Sequence, residues 1–403
     1  MLQALFGLRE DLDLLRGSRY SFSASIFYLG FIVGAYPAMV LAQRYPIERV
    51  ASGIVTLWGI CLILTVVCTG YKTLYVQRFF LGLLESGISP MFMLIVGSFY
   101  KKNEQAMRMG IWYSCTGYVS VFSPRQLWPR SHQWRQIVLE IHTPSAREGF
   151  NERERYILVA RLRSNNSGVR NTHLKVSQIW ELLVDCKFWV VFAIAFLSMI
   201  ANGPISTFVP IIINGFGFST VNSPTHLDAR WRLCRHSHAL FAAQLGTTFA
   251  ALLLWKLPQS ATGGLLFACY ILPSVGGGYA VLMGQQIANT AGYTKRSVAS
   301  SGLYIGYCLG NFVGPLVFKK EDAPRYTSGF IVVVVTALAA AVLAIVYRFL
   351  CVWSNRKRDA AGVMEGFDHA YDDDLTDKKA SLEVFIPYRS RLTSQNMQFR
   401  YIL

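Results

Sequence analysis

At 403 residues, 53% hydrophobic and 14% aromatic but only 15% charged, with a mean hydropathy of +0.33, the chain is too apolar for an ordinary soluble protein of its size. Its net charge of +16 would suit a nucleic-acid partner, but the basic residues sit mainly between apolar blocks, where positive-inside topology accounts for them. The blocks run to about twenty residues, the length a helix needs to cross the hydrocarbon core. The expected class is therefore an all-α, polytopic protein of the lipid bilayer, with no nucleic-acid partner.

In chain order, Arg9, Glu10, Asp11, Asp13 and Arg16 follow a short apolar start, so no cleavable signal peptide is expected. Spans are expected at 25–42, 51–69, 74–100, 188–213, 240–255, 263–290, 297–318 and 329–353, with half a span at 110–122. An arginine-dense stretch, including ERERYILVARLRSNNSGVR, separates two groups of spans. This predicts an N-terminal helix bundle at 1–122, a cytoplasmic central loop at 123–187, a C-terminal bundle at 188–355 and a cytoplasmic tail at 356–403, the layout of a transporter made of two halves.

The connectors LAQRYPIERV, FYKKNEQAMR, the central loop, GYTKRS and WSNRKR are all basic and should all face the cytoplasm. Two spans separate the first pair of connectors, as they must. Three separate the central loop from GYTKRS, an odd number, so one crossing is missing there. The stretch 222–239, NSPTHLDARWRLCRHSHA, stands where it should be; its three arginines and three histidines would each cost several kcal/mol in lipid, roughly 2.5–3.5 per arginine. His226, Cys234, His236 and His238 match no established zinc spacing, and no metal site is expected. The eight cysteines lie mostly inside apolar blocks without a CxxC pair, as small core residues do.

The third span carries RFFLGLLESG, with Arg78 and Glu85 seven residues apart. Two turns, about 10.5 Å, separate them on one helix face. A carboxylate inside the membrane is costly and is a functional candidate by default, here as a proton carrier; Arg78, nearer the outer end, either takes part or simply snorkels. Glycines 302, 306, 310 and 314 form an i,i+4 stripe that would let another helix approach closely. Tyr304, Tyr307 and Asn311 share a neighbouring face. Pro273 and the glycine run 276–278 are expected to bend or unwind the long span that holds them, with Gln285 and Asn289 on one face beyond. Asn202, beside Gly203 and Pro204, places an amide at an expected helix break. For these polar residues, pore lining and helix-to-helix hydrogen bonding fit equally. No Walker A, GxGxxG or HExxH motif occurs, so neither an ATP-driven pump, an enzyme nor a bound cofactor is expected, leaving secondary transport or a channel.

SIFYLGFIVGAYPAMVLAQRYP, RFFLGLLESGISPMFMLIVGSFYKKNEQAMRMGIWYSC, KFWVVFAIAFLSMIANG and GQQIANTAGYTKRSVASSGLYIGYCLGNFVGPLVF resemble the major facilitator superfamily, and within it the fungal anion:cation symporter branch that includes allantoate, nicotinate and pantothenate permeases. The resemblance implies a fold of two six-helix bundles with the substrate between them. It implies that Glu85 carries the coupling proton and Arg78 lies near a carboxylate site, so that a small organic anion and a proton cross together, by a monomer in the plasma membrane. Gln43 stands where many members have aspartate.

The chain also departs from the pattern. It starts at MLQALFGLREDL, which in the family follows helix one; helix five fails after Phe122, helix six is absent, 222–239 replaces helix eight, and ASLEVFIPYRSRLTSQN intervenes near the end. Both bundles are thus expected to be incomplete, with about 8–9 of 12 helices. Missed exons or retained intron sequence in the gene model, or a degenerate paralogue, would produce this, and the alternative function is a transport-inactive member of the family.

Overall fold

The computed structural model describes residues 19–100, 104–112, 173–215, 236–258, 261–272, 274–317, 327–360 and 376. The expected half span at 110–122 is helical as far as Trp112, and its remainder, like 222–235, lies outside the described residues.

In the first half, α1 spans Arg19–Arg44, α2 Ile47–Ile63, α3 Tyr71–Glu85 and α4 Ile88–Phe99. Pro46 starts α2, its carbonyl accepting the Arg49 and Val50 amides. The Thr73 hydroxyl closes the first turn of α3 on Gly70, donating to its carbonyl at 2.8 Å and accepting its N–H at 3.2 Å. The second half holds α5, Val176–Leu183; α6, Cys186–Gly215; α7, His236–Lys256; α8, Thr262–Ile271; α9, Ser274–Ala288; α10, Tyr293–Val317; and α11, Thr327–Ala360.

Among the described residues, six helical stretches are long and apolar enough to cross a membrane: Ser25–Arg44, Ile47–Val67, Tyr71–Ser98, His238–Lys256, Gly263–Ala288 and Thr327–Lys357. A seventh would be α5 with the first part of α6, which meet at 68°. The expected span 297–318 is α10. It is less apolar because it does not face lipid: Ser297, Ser300, Ser301 and Asn311 are all buried in protein. These are the helices of an all-α, multi-pass membrane protein.

One expected break is corrected and another is narrowed. The chain is helical through 202–204, since a membrane helix tolerates proline where neighbouring groups resatisfy its backbone. The glycine run 276–278 is helical too, inside α9. The long span does break, between Ile271 and Ser274, the interval that holds Pro273, which itself lies outside the described residues. The span holding Glu85 breaks once, at Ser86 and Gly87 between α3 and α4.

Small residues set the close contacts. A Cβ on Gly30 or Gly34 of α1 would strike the backbone of Phe79 or Leu83 in α3, and one on Gly82 would strike Phe27 of α1. The expected stripe on α10 packs on α6: a Cβ on Gly302 would lie 2.6 Å from the Phe188 ring, one on Gly306 2.9 Å from the Phe192 carbonyl, and one on Gly310 against Phe196 and Met199. Where hydrocarbon surrounds both helices, such close packing holds them together. Gly310→Val is thus expected to lower stability by about 2–3 kcal/mol, because backbone cannot yield as a side chain can; thermal unfolding in detergent measures it.

The halves meet along α1 and α10, with α4 against α9 and α10. One hydrophobic core crosses this seam, joining Phe31, Met93 and Val96 to Ile194, Met199, Tyr279, Leu303 and Tyr304.

Candidate substrate and proton site

Glu85 stands in the middle of the 28-residue span Tyr71–Ser98. It is half-buried, within electrostatic reach of Cys308 on α10 across the seam. The Trp58 indole of α2 lies beside it, although Trp58 Nε1 makes no formed hydrogen bond. The acidic group thus sits at mid-depth, where the two halves touch. Arg78, also half-buried, is two turns nearer the start of α3.

Around Cys308 the seam is aromatic. Phe31 of α1 stacks on Tyr304 of α10, with centroids 6.1 Å apart and planes inclined at 19°. Tyr28 of α1 meets Tyr307 edge-on at 6.4 Å, and Tyr279 of α9 touches Tyr304 and Tyr307 at 6.1 and 5.0 Å. The Tyr304 hydroxyl donates to Met283 Sδ at 3.3 Å. Rings of this kind give a flat apolar wall with hydroxyls at its rim, and edge-to-face and offset pairs are worth about 0.5–1.5 kcal/mol each beyond their buried area.

One turn beyond Tyr307, Asn311 accepts a hydrogen bond from Asn202 Nδ2 of α6 at 2.8 Å and donates to the Tyr307 carbonyl at 2.9 Å. The pair is a helix-to-helix bond, so an Asn202→Leu, Asn311→Leu double-mutant cycle should give a coupling energy of about 0.6–1.7 kcal/mol, read from chemical unfolding in detergent.

The sequence-based candidates therefore divide. Glu85, Tyr304, Tyr307, Asn311 and Asn202 gather around one stretch of seam. Asn289 does not join them: its Nδ2 donates to the Tyr347 hydroxyl of α11 at 2.9 Å, near a cleft also lined by Asp185, Lys187, Gln286 and Lys295. Gln285 is buried one turn earlier on α9. Sequence reasoning passed over Tyr28, Phe31, Tyr279 and Cys308, because inside an apolar block an aromatic ring or a thiol looks like any other lipid-compatible side chain.

The inner end of the seam is closed by polar contacts. Gln43 Nε2, at the foot of α1, donates to Thr294 Oγ1 of α10 at 3.0 Å and to the His173 carbonyl at 3.3 Å. At Gly97 of α4, a Cβ would meet Ile287 at 2.8 Å and Arg296 at 3.3 Å. At the outer end, the Ser25 hydroxyl donates to the Phe312 carbonyl at 3.2 Å. Helices α1 and α10 thus run antiparallel, one from each half, in contact from end to end.

Among known proteins, the sequence model described as Major Facilitator Superfamily matches residues 4–125. An uncharacterized transporter of Schizosaccharomyces pombe is 29% identical over 99% of this chain and 83% of its own length. The allantoate permease of Saccharomyces cerevisiae is 27% identical, over 93% and 79% of the two chains. The thiamine pathway transporter of the same yeast is also 27% identical, over 86% and 74%. Residues 4–125 thus carry the pattern of the major facilitator superfamily, and nearly the whole chain is similar to these fungal transporters. Those relatives are named as transporters or permeases, and this chain shares with them the build of a multi-pass membrane protein. The superfamily's two-half layout gives the seam its meaning, because the place where the halves meet is where a substrate would be held.

Proposed function

We propose that this transporter carries a small organic anion, a carboxylate such as allantoate, nicotinate or pantothenate, together with a proton, acting as a monomer in the plasma membrane. The observation that carries the reading is Glu85: an acidic side chain at mid-span on the seam between halves, with Arg78 two turns away on the same helix. A carboxyl group inside the membrane is retained where its charge is used. A protonated Glu85 lowers the cost of bringing an anion into the seam, and the anion in turn disfavours loss of that proton, so each favours the other's binding. The rings of Tyr28, Phe31, Tyr279, Tyr304 and Tyr307 supply the apolar walls, and the Asn202–Asn311 bond holds α6 on α10 beside them. The names of the two yeast relatives, an allantoate permease and a thiamine pathway transporter, support a small nitrogenous or vitamin-related cargo. Uptake of labelled allantoate, nicotinate and pantothenate by cells expressing the chain tests it, with and without a proton ionophore. Accumulation that survives collapse of the proton gradient contradicts the coupling.

A second reading, a transport-inactive member of the same family, rests on α2. Only 6% of its apolar window is buried in protein, and Leu57, Ile60, Ile63, Val66 and Val67 are all exposed. Absence of uptake for all three substrates by a chain that reaches the membrane supports that reading.

A further inference from the structure

Of the chain beyond Ala360 the structure describes Thr376, and it is 1% exposed. Its hydroxyl donates to Glu181 Oε2 at 2.7 Å. The other oxygen of the same carboxylate takes Lys295 Nζ at 2.9 Å, and Asp185 Oδ2 lies 3.5 Å from that ammonium. The Lys295 backbone N–H donates to Gln178 Oε1 at 3.0 Å. Gly292, with φ of 90°, leaves room for this arrangement: a Cβ there would meet both Gln178 Oε1 and Thr376 Cγ2 at 3.0 Å. The first turn of α10 is therefore held by α5, by Asp185 and by Thr376 at once. Its Thr294 is the residue that meets Gln43 of α1 and accepts the Lys175 N–H at 3.2 Å. Thr294, which closes the inner end of the seam, and Lys295, paired with the carboxylate that Thr376 holds, are adjacent on the same turn.

We propose that Thr376 is a latch on the inner end of the seam, fixing Glu181 on Lys295, and that its release lets α10 part from α1. Glu181 has two oxygens to satisfy in a largely buried place. Lys295 takes one and Thr376 the other, and a buried acceptor stripped of its donor incurs its full desolvation penalty. Negative charge at position 376 acts more strongly than loss of the bond, because it would face the Glu181 and Asp185 carboxylates, which already share the Lys295 ammonium. The basic connector GYTKRS places this end in the cytoplasm. The chain beyond the last span thereby controls inward opening without touching the substrate.

The test reads the seam directly and needs neither uptake nor proton coupling, so its outcome is separate from that of the symport reading. The full chain is prepared in inside-out vesicles, and the native Cys308 thiol, fully buried at the seam, is reacted with an impermeant maleimide and quantified by peptide mass spectrometry. Thr376→Ser, which keeps the hydroxyl, should label as the parent does; Thr376→Val should label about fivefold faster and Thr376→Glu about tenfold or more, as expected when a closed state loses one to two hydrogen bonds. Cys269, buried in a separate core of the second half, should stay at its parental rate in all of them. Equal labelling of Cys308 in the parent and Thr376→Glu overturns the proposal. So does a rise at Cys269 that keeps pace with Cys308, which marks general loosening.

Discussion

Glu85→Gln is expected to abolish proton-driven accumulation while leaving substrate exchange across the membrane intact. Glutamine keeps the size and the hydrogen-bonding oxygen of the protonated carboxyl but can neither take up nor release a proton. A binding site that stays neutral can still load and unload an anion; it cannot tie that movement to the gradient. One proton with one monovalent anion moves no net charge, so accumulation by the parent chain should follow the pH difference and ignore the membrane potential. A difference of one pH unit then supports about tenfold accumulation, equivalent to about 1.4 kcal/mol, against nothing for the variant. The measurement is net uptake and counterflow in vesicles with the potential clamped. Equal accumulation by Glu85→Gln and parent removes Glu85 from the coupling; loss of both accumulation and counterflow shows that the residue is needed for the site itself.

The second large effect is expected at Lys295. Its ammonium is buried between Glu181 and Asp185, and Lys295→Met fills the same space with an uncharged chain. The Glu181 and Asp185 carboxylates then lose the ammonium they share in a largely dry junction. Breaking a buried pair on one side costs about 3–5 kcal/mol, far more than the pair itself is worth against a well-packed apolar substitute. The loss should be read as a fall in thermal stability of the detergent-solubilised chain. Glu181→Gln combined with Lys295→Met should recover part of it, since one of the two orphaned charges is removed. A non-additive recovery identifies the pair as the source; simple additivity would place the cost elsewhere.

The membrane spans are legible in the sequence because a run of about twenty apolar residues has few physical alternatives. Glu85 is legible for the opposite reason, as an exception inside such a run. The glycine stripe of α10 announces a close helix partner, but not that the partner is α6, because spacing along one helix says nothing about which other helix will cover it. The same limit hides the inner junction. Lys295 and Glu181 are 114 residues apart in sequence, Gln43 and Thr294 251 apart, and each looks like an ordinary polar residue near a membrane surface until the fold brings it to its partner. The long span breaks in the interval that holds Pro273, between Ile271 and Ser274, while 202–204 and the glycine run 276–278 stay helical, because glycine and proline only permit a bend. Whether the helix uses that permission depends on its neighbours.

A long seam with hydrogen bonds near its two tips, Ser25 to Phe312 and Gln43 to Thr294, has the mechanics of a seesaw whose fulcrum is the ring cluster of Phe31, Tyr304 and Tyr307. Parting either tip alone forfeits about 1 kcal/mol per hydrogen bond, an amount thermal motion supplies readily. Parting both at once would also have to pry the stacked rings off one another and flood the middle with water. The cheap excursions are therefore the one-sided ones. A carrier balanced in this way leaks little, because the motion that exposes its centre to one compartment presses it shut against the other.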